Sequence, residues 1–466
     1  MTGRDAVTAD AAAVDLAPPR RVHLVGVGGA GMSGIARILA QRGHDVRGSD
    51  LRDGRAVLAL RGLGVRVSIG HDAAALDDAE LVVVSSAVRP DNPELVAARA
   101  RGLPVLPRAG MLAALMTDDR RVLVAGTHGK TTTTSMTVVA LQAAGRDPSF
   151  AIGGELNEAG TNAHAGADAV FVAEADESDR SFLAYAPDVA VVTNVEHDHP
   201  EAFADLDDVL AAFVAFAERR RRDGVLVAGL DDPGVRGLLD RVGGDVVTFG
   251  ADPAADVRVL PSDGTGPARL RVDGEVLPLD LAVPGRHNAL NAAAAVAACR
   301  ALGVAPAAAL PGLAGFRGAA RRFQLLGEVG GVRVVDDYAH HPTELRATLA
   351  AAREVGADRV VCVVQPHRHS RTAVLGPDLG RAAAGADLVV VTDVYGAGET
   401  PVPGVTGALV ADAARDAGAR VVYAPHLGEV PALLAAEVRS GDLVVVTGAG
   451  DVGQVGPALL VRLGGA

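Results

Sequence analysis

Residues 125–136 read AGTHGKTTTTSM, and the fold turns on how this stretch is understood. The apolar run before it, RVLVA at 121–125, has the length and composition of a buried parallel strand. Gly126, Thr127, His128 and Gly129 then make a tight loop, and the spacing predicts a helix over 131–143. Strand, glycine loop and helix start in that order aim backbone N–H groups and the positive end of the helix dipole at an anion. Lys130 is the only lysine of the 466 residues, so the 44 Lys and Arg are one Lys and 43 Arg. An ammonium on a thin stem reaches places that a planar guanidinium fork cannot. A phosphate cradle is such a place. In loops of this kind the lysine meets the β- and γ-phosphates, and the next hydroxyl, here Thr131, holds Mg²⁺. The longer pattern GxxxxGK[ST] asks for Gly where this chain has Val124, so the match is to the shorter GTxGKT form.

Length and composition bound the rest. A chain of 466 residues suggests about three domains. A net charge of −13 and 3% aromatic residues with no Trp argue against a nucleic-acid surface or a base-stacking platform. The two cysteines, Cys299 and Cys362, are far apart and in apolar surroundings, which fits a reducing, cytoplasmic setting. Residues 1–19 are Ala/Asp-rich, unlike a signal peptide, and are expected to form a disordered tail. No apolar run is long enough to insert in a membrane.

Upstream of the loop, RVHLVG at 21–26 reads as a strand, followed by a glycine turn at 26–31 and a helix over 32–42. This arrangement holds a diphosphate, of NAD(P) or of another nucleotide. Asp50 follows a second strand, Ser85 ends another, and Arg108 precedes a helix over 109–116. Downstream, a strand ends in EADESD at 174–179, a set of carboxylates suited either to Mg²⁺ or to a solvated loop. A further strand runs into NVEHDH at 194–199, which could hold a metal, orient a substrate or cap the strand. Residues 226–283 read as strand-rich, with turns at 231–234 and 273–274. Asn288 and Asn291 precede an Ala-rich helix over 292–302, as caps or as partners of an adenine edge. Arg321 and Arg322 are either solvated or a phosphate clamp. From residue 324 onward, four apolar strands each end in a polar turn (DDYAHH, QPHRHSR, DVYGAGE, GAGD), the pattern of a doubly wound parallel sheet with its turns on one edge.

The blocks GVGGAGMSGIA, GTHGKTTT, EADESDRSFL, TNVEHDH, GRHNALNA, DDYAHHPTE and QPHRHSRT, in this order, resemble the Mur ligase family, the ATP-dependent amide-forming enzymes of peptidoglycan precursor synthesis. The resemblance covers nearly all of the chain after the tail. It implies an α/β fold of three domains. A Rossmann-like UDP-sugar-binding domain would occupy 20–117, a P-loop-type ATP-binding domain with a mostly parallel sheet 118–322, and a Rossmann-like amino-acid-binding domain 323–466. The GGAGM loop and the HRHSRT segment favour the branch that joins L-alanine to UDP-N-acetylmuramate. A branch that returns a recycled tripeptide to the same nucleotide sugar is its nearest relative, and a non-catalytic nucleotide-sugar sensor or an NAD(P)-dependent oxidoreductase are the readings from other classes.

Residue by residue, the resemblance implies that Gly28, Gly29, Ala30, Gly31 and Ser33 hold the UDP diphosphate, with Asp50, His71, Ser85 and Arg108 near uridine or sugar. Gly126, Thr127, His128, Gly129, Lys130, Thr131 and Thr132 cradle ATP. Thr131 and Glu174 hold one Mg²⁺ and His199 a second. Asn288 and Asn291 face adenine, Asp337 the ribose and Arg322 the phosphates. Tyr338, His340, His367, Arg368 and Arg371 line the alanine pocket, with His340 the candidate base. Many members bridge to the second metal with a carbamylated lysine. This chain has no lysine to spare for that, and the alanine-adding branch also lacks it.

Overall fold

The computed structural model describes residues 14–85, 87–156, 160–261 and 268–465. Of the expected tail, residues 1–13 lie outside the described residues, whereas Val14 and Leu16 pack against the first core. That anchoring differs from the expected disorder to residue 19, and its cause is burial of two aliphatic side chains.

Three sheets carry the architecture. The first has five parallel strands in the order Arg66–Ile69, Asp45–Asp50, Arg21–Val25, Leu81–Val84 and Val105–Pro107. Chain order reverses between Arg21–Val25 and Leu81–Val84. The turns that follow these two strands therefore leave in opposite directions and open a crevice at their carboxyl ends.

The second sheet has ten strands. Its centre runs Val225–Gly229, Val189–Val192, Arg120–Ala125 and Val170–Glu174, all parallel. An antiparallel hairpin, Ala268–Val272 with Glu275–Leu279, extends one edge around the expected turn at Asp273 and Gly274. Strands covered on both faces read as continuous apolar runs. Alternate side chains therefore enter different cores: Leu123, Ala125, Ala190 and Val192 on one face, Val122, Val124, Val189 and Val191 on the other. The first of these cores continues without a break into the first sheet, through Val22, Leu24 and Ile35. The third sheet has six strands in the order Gln324–Val329, Val332–Asp337, Asp442–Thr447, Arg359–Val364, Leu388–Val391 and Val421–Tyr423. Only its first strand is antiparallel.

Elements form where expected, with shifted starts. The helices at 32–42, 109–116 and 131–143 begin earlier, as Ala30–Gln41, Arg108–Leu115 and Lys130–Ala143. The helix expected from 292 is Arg286–Ala301, so Asn288 and Asn291 lie inside it rather than capping it. At 231–234 there is a helix start in place of a turn. Asp232 caps Pro233–Leu239 by accepting the Val235 N–H, and proline suits the first helical position. Among the described residues no helix is long and apolar enough to cross a membrane.

Candidate active site

The loop between strand Arg120–Ala125 and helix Lys130–Ala143 is built on two glycines in the left-handed region, Gly126 at φ +132° and Gly129 at φ +81°. A Cβ at Gly126 would stand 1.9 Å from Thr193 Oγ1, and one at Gly129 would stand 2.6 Å from Asn291 Oδ1. The neighbouring strand end pins the loop. Thr193 Oγ1 donates to the His128 carbonyl at 2.6 Å, Asn194 Nδ2 donates to it at 3.0 Å, and His128 N–H donates to Asn194 Oδ1 at 2.8 Å. The loop is thereby fixed against the strand end, and its residues line two cavities.

Lys130 points into that space. Its ammonium donates to the Gly126 carbonyl at 2.8 Å, the Thr127 carbonyl at 3.2 Å and Glu177 Oε1 at 2.9 Å. Burial alone would lower its pKa, but the Glu177, Asp176 and Glu174 carboxylates outweigh burial and hold the ammonium charged. Thr131 Oγ1 donates to Glu174 Oε2 at 3.0 Å, and the same oxygen accepts the Gly153 N–H at 2.9 Å. His199, in the left-handed region at φ +56°, lines the same cavity. Its Nε2 is 4.0 Å from Glu177 Oε1, and Glu177 Oε2 is buried with no hydrogen-bond partner.

Two cavities meet here. One, of about 330 Å³, is lined by His128, Gly129, Thr132, Asn288, Asn291, Phe249, Phe316, Arg322, Asp337 and Glu344. The Phe249 and Phe316 rings, together with amide and carboxylate groups that can meet ring nitrogens, suit a flat heterocycle. The Asn pair is linked, Asn291 Nδ2 lying 3.4 Å from Asn288 Oδ1. Asp337 accepts the Phe323 and Ala339 N–H groups, and burial pushes its carboxyl up to about 6. The other cavity, of about 890 Å³, joins Gly29, Ala30, Gly31, Ser85 and Arg108 of the first unit to Thr127, Lys130, Thr131, Glu174 and His199 of the second and to Tyr338, His340, His367, Arg368 and Arg371 of the third.

Four expected contacts to the nucleotide sugar do not line that cavity. The Asp50 carboxylate accepts the Gly28 N–H at 2.8 Å and closes the glycine turn. Ser33 Oγ donates to the Ala30 carbonyl within its own helix. His71 Nδ1 is 2.9 Å from Ser49 Oγ, which donates to the buried Glu94.

In the third unit, His340 Nδ1 is 3.0 Å from the Tyr338 carbonyl, an arrangement that assigns the proton to Nδ1 and leaves Nε2 as acceptor. Burial, with the Arg371 charge adding to it, outweighs the Glu344 carboxylate and pulls His340 down to about 3. The two arginines are already engaged. Arg371 Nε donates to Asp198 Oδ1 at 2.8 Å in a buried pair that keeps Asp198 ionised, and Arg368 Nη1 donates to Glu201 Oε1 at 2.8 Å. Both arginines line the cavity as expected residues of the alanine pocket, while Asp198 and Glu201 of the central unit each hold one of them.

His128, Glu196 and His341 bring one ligand atom each within 4.8 Å, a spacing a metal could use. The geometry favours an ion cluster instead. Burial is outweighed by Glu196 and Glu344, which raise His128 to about 9, and His341 Nδ1 accepts the Thr343 N–H as the helix cap. The sequence reading missed Glu177, Asp198, Glu196, Glu201 and Glu344. Glu177, Glu196 and Asp198 stand inside the quoted EADESD and NVEHDH segments, Glu201 lies two residues beyond the latter, and Glu344 ends the DDYAHHPTE block. His197 Nε2 approaches the Phe203 carbonyl at 3.5 Å.

Comparison with known proteins follows the same division. The chain matches the models described as Mur ligase family, catalytic domain, over residues 21–120; Mur ligase middle domain, over 124–299; and Mur ligase, glutamate ligase domain, over 321–450. It is 54% identical over 453 residues to the UDP-N-acetylmuramate–L-alanine ligase of Acidothermus cellulolyticus, covering 95% of each chain. Among solved structures it resembles the UDP-N-acetylmuramate-alanine ligase of Thermotoga maritima, with TM-score 0.80, 30% identity and 96% and 99% of the two chains covered. It also resembles the murein peptide ligase of Psychrobacter arcticus, with TM-score 0.71, 25% identity and 96% and 99% covered. Three matched segments spread over the described units, with identity at this level along nearly the whole length, place the chain in the Mur ligase family.

Proposed function

We propose that this chain joins L-alanine to the lactyl carboxylate of UDP-N-acetylmuramate with hydrolysis of ATP to ADP and phosphate, a step of peptidoglycan precursor synthesis. One observation carries the reading: a single cavity connects the glycine turn of the first unit, the Lys130 loop and the His/Arg pocket of the third. The nucleotide sugar, ATP and the amino acid are assigned to these three places in that order, and the units to 20–117, 118–322 and 323–466. Identity of 50–54% to L-alanine ligases over 95% of each chain favours alanine over a tripeptide.

The chemistry follows from charge. A carboxylate repels nucleophiles, and transfer of the γ-phosphoryl to it makes an acyl phosphate with a good leaving group. Two anions must approach for that transfer, so fixed positive charge is the main requirement. Lys130 supplies it at the loop, and Arg322, at the border of the two cavities, supplies more. The oxygen donors Thr131 and Glu174 fit Mg²⁺, which takes carboxylate and hydroxyl oxygens together with those of phosphate. His199 is assigned to a second ion. Bound Mg²⁺ would neutralise phosphate charge there.

The alanine amine, as free base after its ammonium has given a proton to water, attacks the acyl carbon; the bond from that carbon to the phosphate oxygen breaks, and the nitrogen's second proton leaves with the phosphate. His340, neutral through the physiological range, offers Nε2 as an acceptor to the alanine ammonium. A group with so low a pKa orients the amine more effectively than it strips a proton from it. Tyr338, His367, Arg368 and Arg371 complete the assigned pocket. The test is ADP release from purified full-length chain with UDP-N-acetylmuramate and L-alanine, glycine, L-serine or the tripeptide. Release that requires both the nucleotide sugar and L-alanine supports the reading. Release with the tripeptide alone moves it to the recycling branch, and release indifferent to the nucleotide sugar overturns it.

A further inference from the structure

Glu344 is a carboxylate that touches residues assigned both to ATP and to the amino acid. It sits at the third position of helix Pro342–Glu354, where Oε2 accepts the His340 N–H at 3.0 Å and the His341 N–H at 3.3 Å in a capping box. The same oxygen lies 3.4 Å from His340 Nδ1. Its other oxygen lies 3.4 Å from His128 Nδ1, in the phosphate loop, and 3.6 Å from Arg322 Nη1. Glu344 and Arg322 are also two residues that line both cavities. Helix capping explains only half of this. A capping box is served equally by Gln, which keeps the acceptor oxygen and loses the charge. The charge faces the other way, toward the cations His128 and Arg322.

We propose that Glu344 is a positioning residue that joins the ATP loop to the amino-acid pocket, holding His128 and Arg322 on one side and His340 on the other. This rests on the function proposed above. One carboxylate that orders both sides makes binding at either site depend on the same side chain, which is what coupling between sites requires. Nothing in the charge of Glu344 is needed for the helix start alone.

The experiment compares Glu344→Gln, Glu344→Ala and His128→Ala, singly and with His128→Ala combined with Glu344→Gln, in the full chain. ATP-analogue affinity is measured by calorimetry, alongside steady-state ADP release. The expected result for Glu344→Gln is a folded chain with a lowered unfolding midpoint, since His128 loses part of its pairing, and a KM for both ATP and L-alanine raised at least about fivefold, with a smaller change in kcat. Its effect on ATP-analogue affinity should largely disappear in the His128→Ala background. Three results would overturn the proposal: wild-type KM values for Glu344→Gln, a rise confined to one substrate, or fully additive effects with His128→Ala. If Glu344→Ala alone unfolds, the Gln variant still decides. Failure of the proposed reaction itself would appear in the wild-type chain as no ADP release. The calorimetric cycle on ATP analogue remains readable in that case.

Discussion

At Lys130, three acceptors, the Gly126 and Thr127 carbonyls and Glu177 Oε1, surround one nitrogen at 2.8–3.2 Å. A tetrahedral ammonium fits such a point, whereas a flat five-donor fork does not. Lys130→Ala should lower kcat by roughly 10²–10³-fold, since it removes charge from the transferring phosphoryl group. Lys130→Arg should fail similarly for want of room, and a near-wild-type rate of ADP release would contradict this geometry. Arg371 carries a different expectation. It and Asp198 are 5% and 4% exposed, so Arg371→Ala strands a buried carboxylate and should destabilise the fold by about 3–5 kcal/mol. The same variant should also raise KM for L-alanine. A loss of stability without any change in KM would remove Arg371 from the pocket. The lone lysine was visible in the sequence because its rarity is a one-dimensional fact. The partner carboxylates Asp198 and Glu344 were not, because their work is defined by residues some 170 and 216 positions away, Arg371 and His128.

At the scale of elements, the phosphate loop depends on backbone that only glycine supplies. Gly126→Ala would combine φ +132° with a Cβ driven into Thr193 Oγ1, which is also the donor that holds the His128 carbonyl. The expected outcome is loss of ATP-analogue binding by calorimetry while the far-ultraviolet circular dichroism stays that of the wild type. Binding at wild-type affinity would mean the loop can relax away from the neighbouring strand end. The strand–loop–helix succession was legible because each part has its own local signature: an apolar run, two glycines, then a helix-forming stretch. Helix Arg286–Ala301 was less so. His287, Asn288 and Asn291 read locally as a polar lead-in, yet Asn288 and Asn291 are buried against the loop and the adenine-sized cavity. Polar residues on the inward face of a buried helix serve a ligand or a neighbour, and a sequence pattern cannot separate that use from capping. The helix Pro233–Leu239 reads as a turn in the sequence for a related reason, since Asp-Pro begins both.

Across the whole molecule, the third unit docks on the second largely through titratable groups, and this sets how stability should depend on pH. His128 is raised from 6.5 to about 9 by Glu196 and Glu344 against the effect of burial. Protonation there favours the folded state, so its contribution is complete below about 6.5 and is lost as pH rises through about 9. His287, His341 and His367 are pulled down to about 4, and His340 to about 3, chiefly by burial. For these four the unfolded chain binds protons first. Their contribution is complete above about 6.5 and erodes as pH falls toward their folded values. Glu196 and Glu201, where burial is outweighed by His128 and His199, are lowered to about 2 and add a second loss below the ordinary carboxylate range. The signs together give a maximum near 6.5, an alkaline decline between about 6.5 and 9 from one histidine, and a steeper acid decline below about 6.5 from four. Thermal unfolding followed across this range should show that asymmetry, and His128→Ala should remove the alkaline limb while leaving the acid one. A midpoint that stayed level down to pH 4 would mean the buried histidines titrate freely, and the interface between the two units would then be far wetter than the burial of His341 and Arg371 implies.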